Sequence, residues 1–322
     1  MSPLLRVALC AGALFGLAAA GAAEAAAAAS AELPPPVVGL NGTSLLAVRQ
    51  LIAAGSLPAP LQPALAALLR AAQAALQFKG HGHASQHDLL RGGHPLQGGD
   101  PLGCPETGPW SVTAKDIVPP SGDKHDFTYI STYSWPCNAE CPASYGAHRC
   151  KDWWRQQPDW AKCDNATGLP WVGHDGFGQP KGQHDADCSV LMANTAETLS
   201  HAYYLTSNQS YAEGAAAVLR AWFVTPKTAM NPNMQFAGWR PGVSNGTSSG
   251  IIATTFRWRN IVTDAEVLLR GSSHWTAQDS AAFQEWNRRY LDWLLTAKLA
   301  RFEANSTNNV STQAISAGVC DF

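Results

Sequence analysis

The chain of 322 residues is poor in charge: only 14% of it is Asp, Glu, Lys or Arg, the two signs nearly cancel at 24 acidic and 22 basic residues, and the formal net charge is −2. A protein whose main partner is nucleic acid concentrates Lys and Arg on one face to neutralise phosphates. No such concentration is present, so nucleic acid is excluded as the expected partner. Long hydrophobic runs are lacking as well. The apolar stretch from Val7 to Ala20 is shorter than the roughly 20 residues a spanning helix needs. Metal-ligand spacings are also scarce. His81, His83, His87 and His94 lie among glycines between Gly80 and Gly99 with no matched carboxylate or cysteine spacing, which reads as a solvated loop rather than a metal site.

What the sequence does contain points to export. Arg6, the apolar run and the small residues Ala22 and Ala23 make a secretory signal peptide over 1–23. Asn41, Asn165, Asn208, Asn245 and Asn305 each open an Asn-X-Ser/Thr sequon, the pattern of a secreted glycoprotein. Besides Cys10 and Cys320, six cysteines remain: Cys104, Cys137, Cys141, Cys150, Cys163 and Cys188. In an oxidising compartment an even set implies disulfides rather than a zinc knuckle, although the pairing is not readable from spacing. The expected location is extracellular or a periplasm-like compartment, with no membrane span once the signal is removed.

Residues 24–43 are mostly alanine and then proline and read as a low-complexity tether, with folding expected to begin near Ser44. From Ser44 to Gln77 leucine and alanine recur at helical spacing around a Gly55–Pro60 turn, which predicts a helical hairpin. The proline- and tryptophan-rich stretch from Gly108 to Lys181 has no sustained period and reads as a long ordered loop region stapled by disulfides. Helical stripes return from Asp185, turn between Leu205 and Ser210, and follow again over Ile251–Leu269 and Thr276–Leu299. Thr276 is the N-cap there and Asp279 sits three residues on. Repeated helical hairpins predict an all-α architecture, an (α/α) toroid.

Several blocks carry a family resemblance. Ser111-Val112-Thr113, Pro120-Ser121-Gly122-Asp123-Lys124-His125-Asp126 and Tyr133-Ser134-Trp135-Pro136 come first. Gly168-Leu169-Pro170-Trp171 with His174-Asp175-Gly176 follows, after a cysteine-rich insertion from Cys137 to Cys163. Ala202-Tyr203-Tyr204-Leu205-Thr206, Leu219-Arg220-Ala221-Trp222-Phe223, Thr228-Ala229-Met230-Asn231-Pro232-Asn233 and Leu291-Asp292-Trp293-Leu294 complete the series. In this order they resemble the alginate lyase domain family. The resemblance implies cleavage of an anionic uronic-acid polymer by β-elimination, without metal or organic cofactor. A base takes the C5 proton, an Asn neutralises the neighbouring carboxylate so that the enolate can form, and a Tyr protonates the leaving oxygen.

The resemblance maps Asn308 and Asn309 onto the family's carboxylate-neutralising block. The pattern breaks there: Val310 stands where the family has its histidine, no tyrosine follows, and 310–322 reads as a tail outside the family pattern. Residues 44–309 are therefore expected to form the N-terminal part of such a domain, an incomplete toroid, inactive as written. The alternative is a non-catalytic, secreted glycan-binding protein. Candidate sugar contacts are Lys124, His125, Tyr133 and Trp135 in the loop signature, through cations facing carboxylates and rings stacking on pyranoses. Asn231, Asn233 and Arg240 are candidates farther on, Arg240 for a bidentate uronate contact. Gly238 departs from the glutamine expected by resemblance. Trp222, Phe223, Trp286 and Trp293 lie on apolar stripes and are assigned to the core.

Overall fold

The structure, a computed structural model, describes residues 32–76, 119–131, 133–135, 170–173, 184–243 and 259–305. It is predominantly helical. Helix α1 (Gly42–Ala53) and helix α2 (Gln62–Leu76) fill the segment read as a helical hairpin, joined through a single 3₁₀ turn at Ala59–Leu61, and each packs mainly on the later helix His184–Thr206 rather than on the other. Helix α3 (His184–Thr206) is the longest, and α4 (Gln209–Leu219) runs on into a π-helical turn at Arg220–Val224. Helices α5 (Arg259–Leu269), α6 (Ala277–Thr296) and α7 (Lys298–Ala304) complete the set among the described residues. The stripe read as continuous from Thr276 to Leu299 is divided at Ala297, whose ψ of 134° leaves the helical region.

The chain is not purely helical. Strand β1 (Thr128–Ile130) pairs in parallel with β4 (Phe236–Trp239), and β2 (Ser134–Trp135) pairs antiparallel with β3 (Val172–Gly173). The β1 and β4 registers, Thr128 with Phe236 and Ile130 with Trp239, leave one extra residue on β4. Gly238 carries a φ of 63° inside that irregularity. Glycine adopts this left-handed conformation without a Cβ clash, which gives a backbone reason for the residue that stands there.

Helix α3 is the centre of the packing. It is buried almost all round and contacts α1, α2, α4, α5 and β1. Met192, Ala196, Leu199 and Ala202 are at most 1% exposed, and α4 lays Ala212, Ala215, Ala216 and Leu219 against the same core. Small residues on both helices let the axes approach; a Cβ on Gly214 would meet Leu76 Cδ2 at 2.9 Å and Leu199 Cδ1 at 3.0 Å. A second focus is aromatic: Phe223 packs edge-on against Phe283 and Trp286, and Trp286, Tyr290 and Trp293 stack along α6.

Local chemistry explains the helix ends. Asn41 and Asn208 accept hydrogen bonds from the N–H groups of Ser44 and Ser210 as N-caps. Thr276 and Asp279 form a full capping box on α6. Asp279 also receives Arg220 in a bidentate pair, Nε to Oδ1 at 2.8 Å and Nη2 to Oδ2 at 2.6 Å. The same carboxylate thus starts α6 and fastens the π-helical turn to it. Glu266, 1% exposed, plays a similar part at the α5–α6 turn, accepting from Arg270, Trp275 Nε1 and Ser280 Oγ.

Part of the segment assigned to a tether is docked instead. Val37 and Leu40 pack on the core, and the backbone N–H groups of Val38 and Gly39 donate to the Asp264 carboxylate of α5 at 2.6 and 2.9 Å. A proline-rich run has few donors of its own, so these two amides anchor it. Close approach fixes the following turn: a Cβ on Gly42 would run into the Pro35 carbonyl oxygen.

Candidate functional site

The motif Asp123-Lys124-His125-Asp126 precedes β1, and the segment Ala229–Asn233 precedes β4. Parallel pairing of two strands brings both approaches to one end of the ribbon. More than 100 residues separate them in sequence, and they are laced together by polar contacts. The His125 carbonyl accepts from the Asn231 N–H at 2.8 Å. The Asn231 amide donates to Asp123 Oδ2 and to Asp126 Oδ1, both at 2.9 Å, and the Asn233 amide donates to Asp126 Oδ1 at 3.2 Å. Asp126 is 6% exposed, and these amide donors answer its burial.

Asp123 folds back on its own loop, accepting from the His125 N–H at 2.9 Å. That backbone bond, then the Asn231 amide, holds its carboxyl below the ordinary range. The His125 ring completes the lacing, with Nδ1 2.7 Å from the Ala229 carbonyl oxygen. A carbonyl only accepts, so Nδ1 carries the proton and the lone pair of the neutral ring lies on Nε2. Chemically this is a fixed imidazole able to accept a proton or a sugar hydroxyl, beside a half-buried Lys124.

The other end of the ribbon carries a second group. The Ser131 N–H donates to the Trp239 carbonyl, the Trp171 N–H to the Pro241 carbonyl, and Arg240 Nη2 to the Trp171 carbonyl at 2.9 Å. Arg240 Nε is buried and has no hydrogen-bond partner among the described residues. Tyr133, at the turn into β2, is 49% exposed. Strands of three and four residues at about 3.3 Å per residue place the two groups roughly 10 Å apart.

The structure therefore brings Lys124, His125, Asn231 and Asn233 together and sets Tyr133 and Arg240 beyond the far end of the same ribbon. Trp135 lies on β2. Asn308 and Asn309, along with Cys104, Cys137, Cys141, Cys150 and Cys163, fall outside the described residues, as does the histidine-rich stretch 80–99. Cys188 is fully buried on α3. Sequence reasoning gave roles to Lys124 and His125 but none to Asp123 and Asp126, the carboxylates that hold the loop. Their signal was in view: two acids bracketing the pair, and two asparagines close together in a later block. Among the described residues no group of three or more His, Cys, Asp or Glu is placed to hold a metal ion. No helix among them is long and apolar enough to cross a membrane.

The sequence profile of the alginate lyases matches residues 111–318, which include both halves of this lacing. Among solved structures the chain is similar to an alginate lyase from Bacteroides ovatus, with a TM-score of 0.62 and 24% identity. The similarity covers 86% of this chain and 58% of that one, so the chain spans little more than half the length of its structural neighbour. No curated protein matches.

Proposed function

The chain belongs to the alginate lyase family, and from that premise we propose that it is a secreted polysaccharide lyase-like protein that holds a uronic-acid polymer along the β1–β4 ribbon. The observation that carries this reading is the lacing of Asp123 and Asp126 by Asn231 and Asn233. It spends the amides on internal carboxylates and so fixes Lys124 and His125, one cation and one imidazole, at the end of the ribbon. Arg240 and Tyr133 extend the same surface, the guanidinium suited to a uronate carboxylate and the exposed ring to a pyranose face.

In this proposal Asn308 and Asn309 neutralise the carboxylate of the sugar that would be cleaved. Val310 stands in the place of the family's histidine, so the polymer is bound without turnover. The alternative reading of a purely glycan-binding protein makes the same demand on the ribbon. The proposal also includes removal of 1–23, extension of the helical hairpins toward a toroid, and pairing of buried Cys188 with one of the five other cysteines.

A second reading rests on one specific observation, the orientation of His125. With Nδ1 tied to Ala229, Nε2 is the ring atom that would take the C5 proton if this chain does carry out β-elimination. The test mixes the oxidised full chain with polymannuronate, polyguluronate and polyglucuronate and follows absorbance of the unsaturated uronate product. Retention of the chain by the polymer in affinity electrophoresis, with no absorbance rise, supports binding without turnover. A rise that disappears in His125→Ala establishes the second reading instead. Absence of both retention and rise refutes the lyase-like assignment.

A further inference from the structure

Away from the ribbon, a cavity of about 420 Å³ opens between the docked N-terminal segment and the turn joining α3 to α4, lined among others by Glu32, Pro34, Arg49, Tyr203, Tyr204 and Arg270. We propose that it is a second, non-catalytic sugar site that takes one carboxylate-bearing pyranose unit, with Arg49 as its anchor and Glu32 as a built-in placeholder for the ligand carboxylate. The choice of a uronate rests on the lyase-family reading above; the existence of an anion seat rests on the cavity itself.

Three observations carry it. The first is the Tyr204 hydroxyl. Tyr204 is 8% exposed and belongs to the cavity wall; its hydroxyl interacts with Arg49 but makes no hydrogen bond of good geometry to any described residue. A buried hydroxyl left without a well-formed hydrogen bond is destabilising. A sugar oxygen would supply the missing bond.

The second is the way Arg49 is held. Its guanidinium lies over the Tyr204 ring, 4.9 Å from the centroid, and pairs with Glu32. The two side chains are 32% and 48% exposed, so the pair belongs to the weak, solvent-screened class of surface bridges, which exchange readily. Glu32 thus shows that the cavity accepts a carboxylate on Arg49 without fixing that carboxylate permanently.

The third is the charge balance, which favours exchange over addition. Arg270 is already matched by buried Glu266. Helices α3 and α5 end near Ser207 and Gly271, and each C-terminus contributes about half a negative charge. A second anion would meet that field unshielded. An anion that takes the place of Glu32 leaves the balance as it is. The wall at this point also carries backbone held away from ordinary geometry: Ser207, a non-glycine residue, has a φ of 58°. Such strain persists where the surroundings impose a shape.

The test titrates the oxidised full chain calorimetrically with a saturated mannuronate trisaccharide and, separately, with a neutral mannose trisaccharide. Arg49→Ala weakens the acidic trisaccharide by about tenfold, the loss of one charge-assisted contact. Tyr204→Phe weakens it a few-fold while leaving Tm unchanged or raised, which separates a ligand role from a folding role. Glu32→Gln strengthens binding, because the internal competitor is gone. Failure of Glu32→Gln to strengthen binding, or equal effects on the neutral sugar, overturns the proposal. Unchanged binding in all three variants, with loss in Lys124→Ala, also overturns it and leaves the ribbon reading standing. Loss of polymer retention in Lys124→Ala alongside the predicted cavity effects supports both.

Discussion

Replacing Asp279 by asparagine removes the charge that joins the π-helical turn to α6. In the folded protein its carboxyl is drawn from 3.8 to about 2, first by the hydrogen bonds from Arg220 and then by those from Thr276, against the opposing effect of burial. A pKa unit corresponds to about 1.4 kcal/mol, so the shift represents about 2 kcal/mol of stability. Little discount for solvent applies to Asp279, whose side chain is 12% exposed; Arg220 at 34% is more open and keeps the figure from rising further. The folded pKa lies below the unfolded one. The contribution is therefore complete above about pH 4 and is lost as pH falls through about 2. Urea unfolding followed by tryptophan fluorescence should show Asp279→Asn about 2 kcal/mol less stable than the parent near neutral pH, with the gap closing on approach to pH ~2. A gap of the same size at both ends of that range, or none near neutrality, would refute the electrostatic account.

Asn231→Ala deletes the amide that serves both Asp123 and Asp126, and each carboxylate hydrogen bond is worth roughly 1.5–3 kcal/mol; polymer retention should fall at least as far as in Lys124→Ala, with the helical circular dichroism intact. Gly238→Ala puts a Cβ at a φ of 63°, destabilising by about 1–2 kcal/mol and loosening the β1–β4 ribbon, which thermal unfolding and retention would report together. Gly42→Ala drives a Cβ into the Pro35 carbonyl and should release the docked segment, so that limited proteolysis cuts within 32–41 before the rest of the domain unfolds. Protection of that segment in the variant would count against the packing described.

The helices were legible because their signal is local. Stripes such as Ala212, Ala215, Ala216 and Leu219 repeat at the helical period, and Thr276 announces the start of α6. The strands were not legible, since two to four residues are too few to show alternation, and β1 pairs with a partner 108 residues away. Within the candidate site, residue types were legible and partners were not. Asn231 and Asn233 read as sugar ligands because an amide in a loop after a helix suits that task; the fold places two carboxylates within reach of them first. The proline-rich segment was opaque for a different reason. Nothing in its composition shows that α5 holds an aspartate in the right place to receive two consecutive backbone amides.

That aspartate has a consequence for the order in which the molecule is made. Val38 and Asp264 are separated by 226 positions. A ribosome adding roughly 5–20 residues per second needs some ten to forty-five seconds to travel from one to the other. Throughout that interval the proline segment has no acceptor to dock on, and Tyr204, once made, waits for the segment that lines its cavity. The first stretch of the domain to appear is thus among the last to find its place, and closure of this contact is a late event set by the arrival of α5 rather than by the hairpin that the segment leads into.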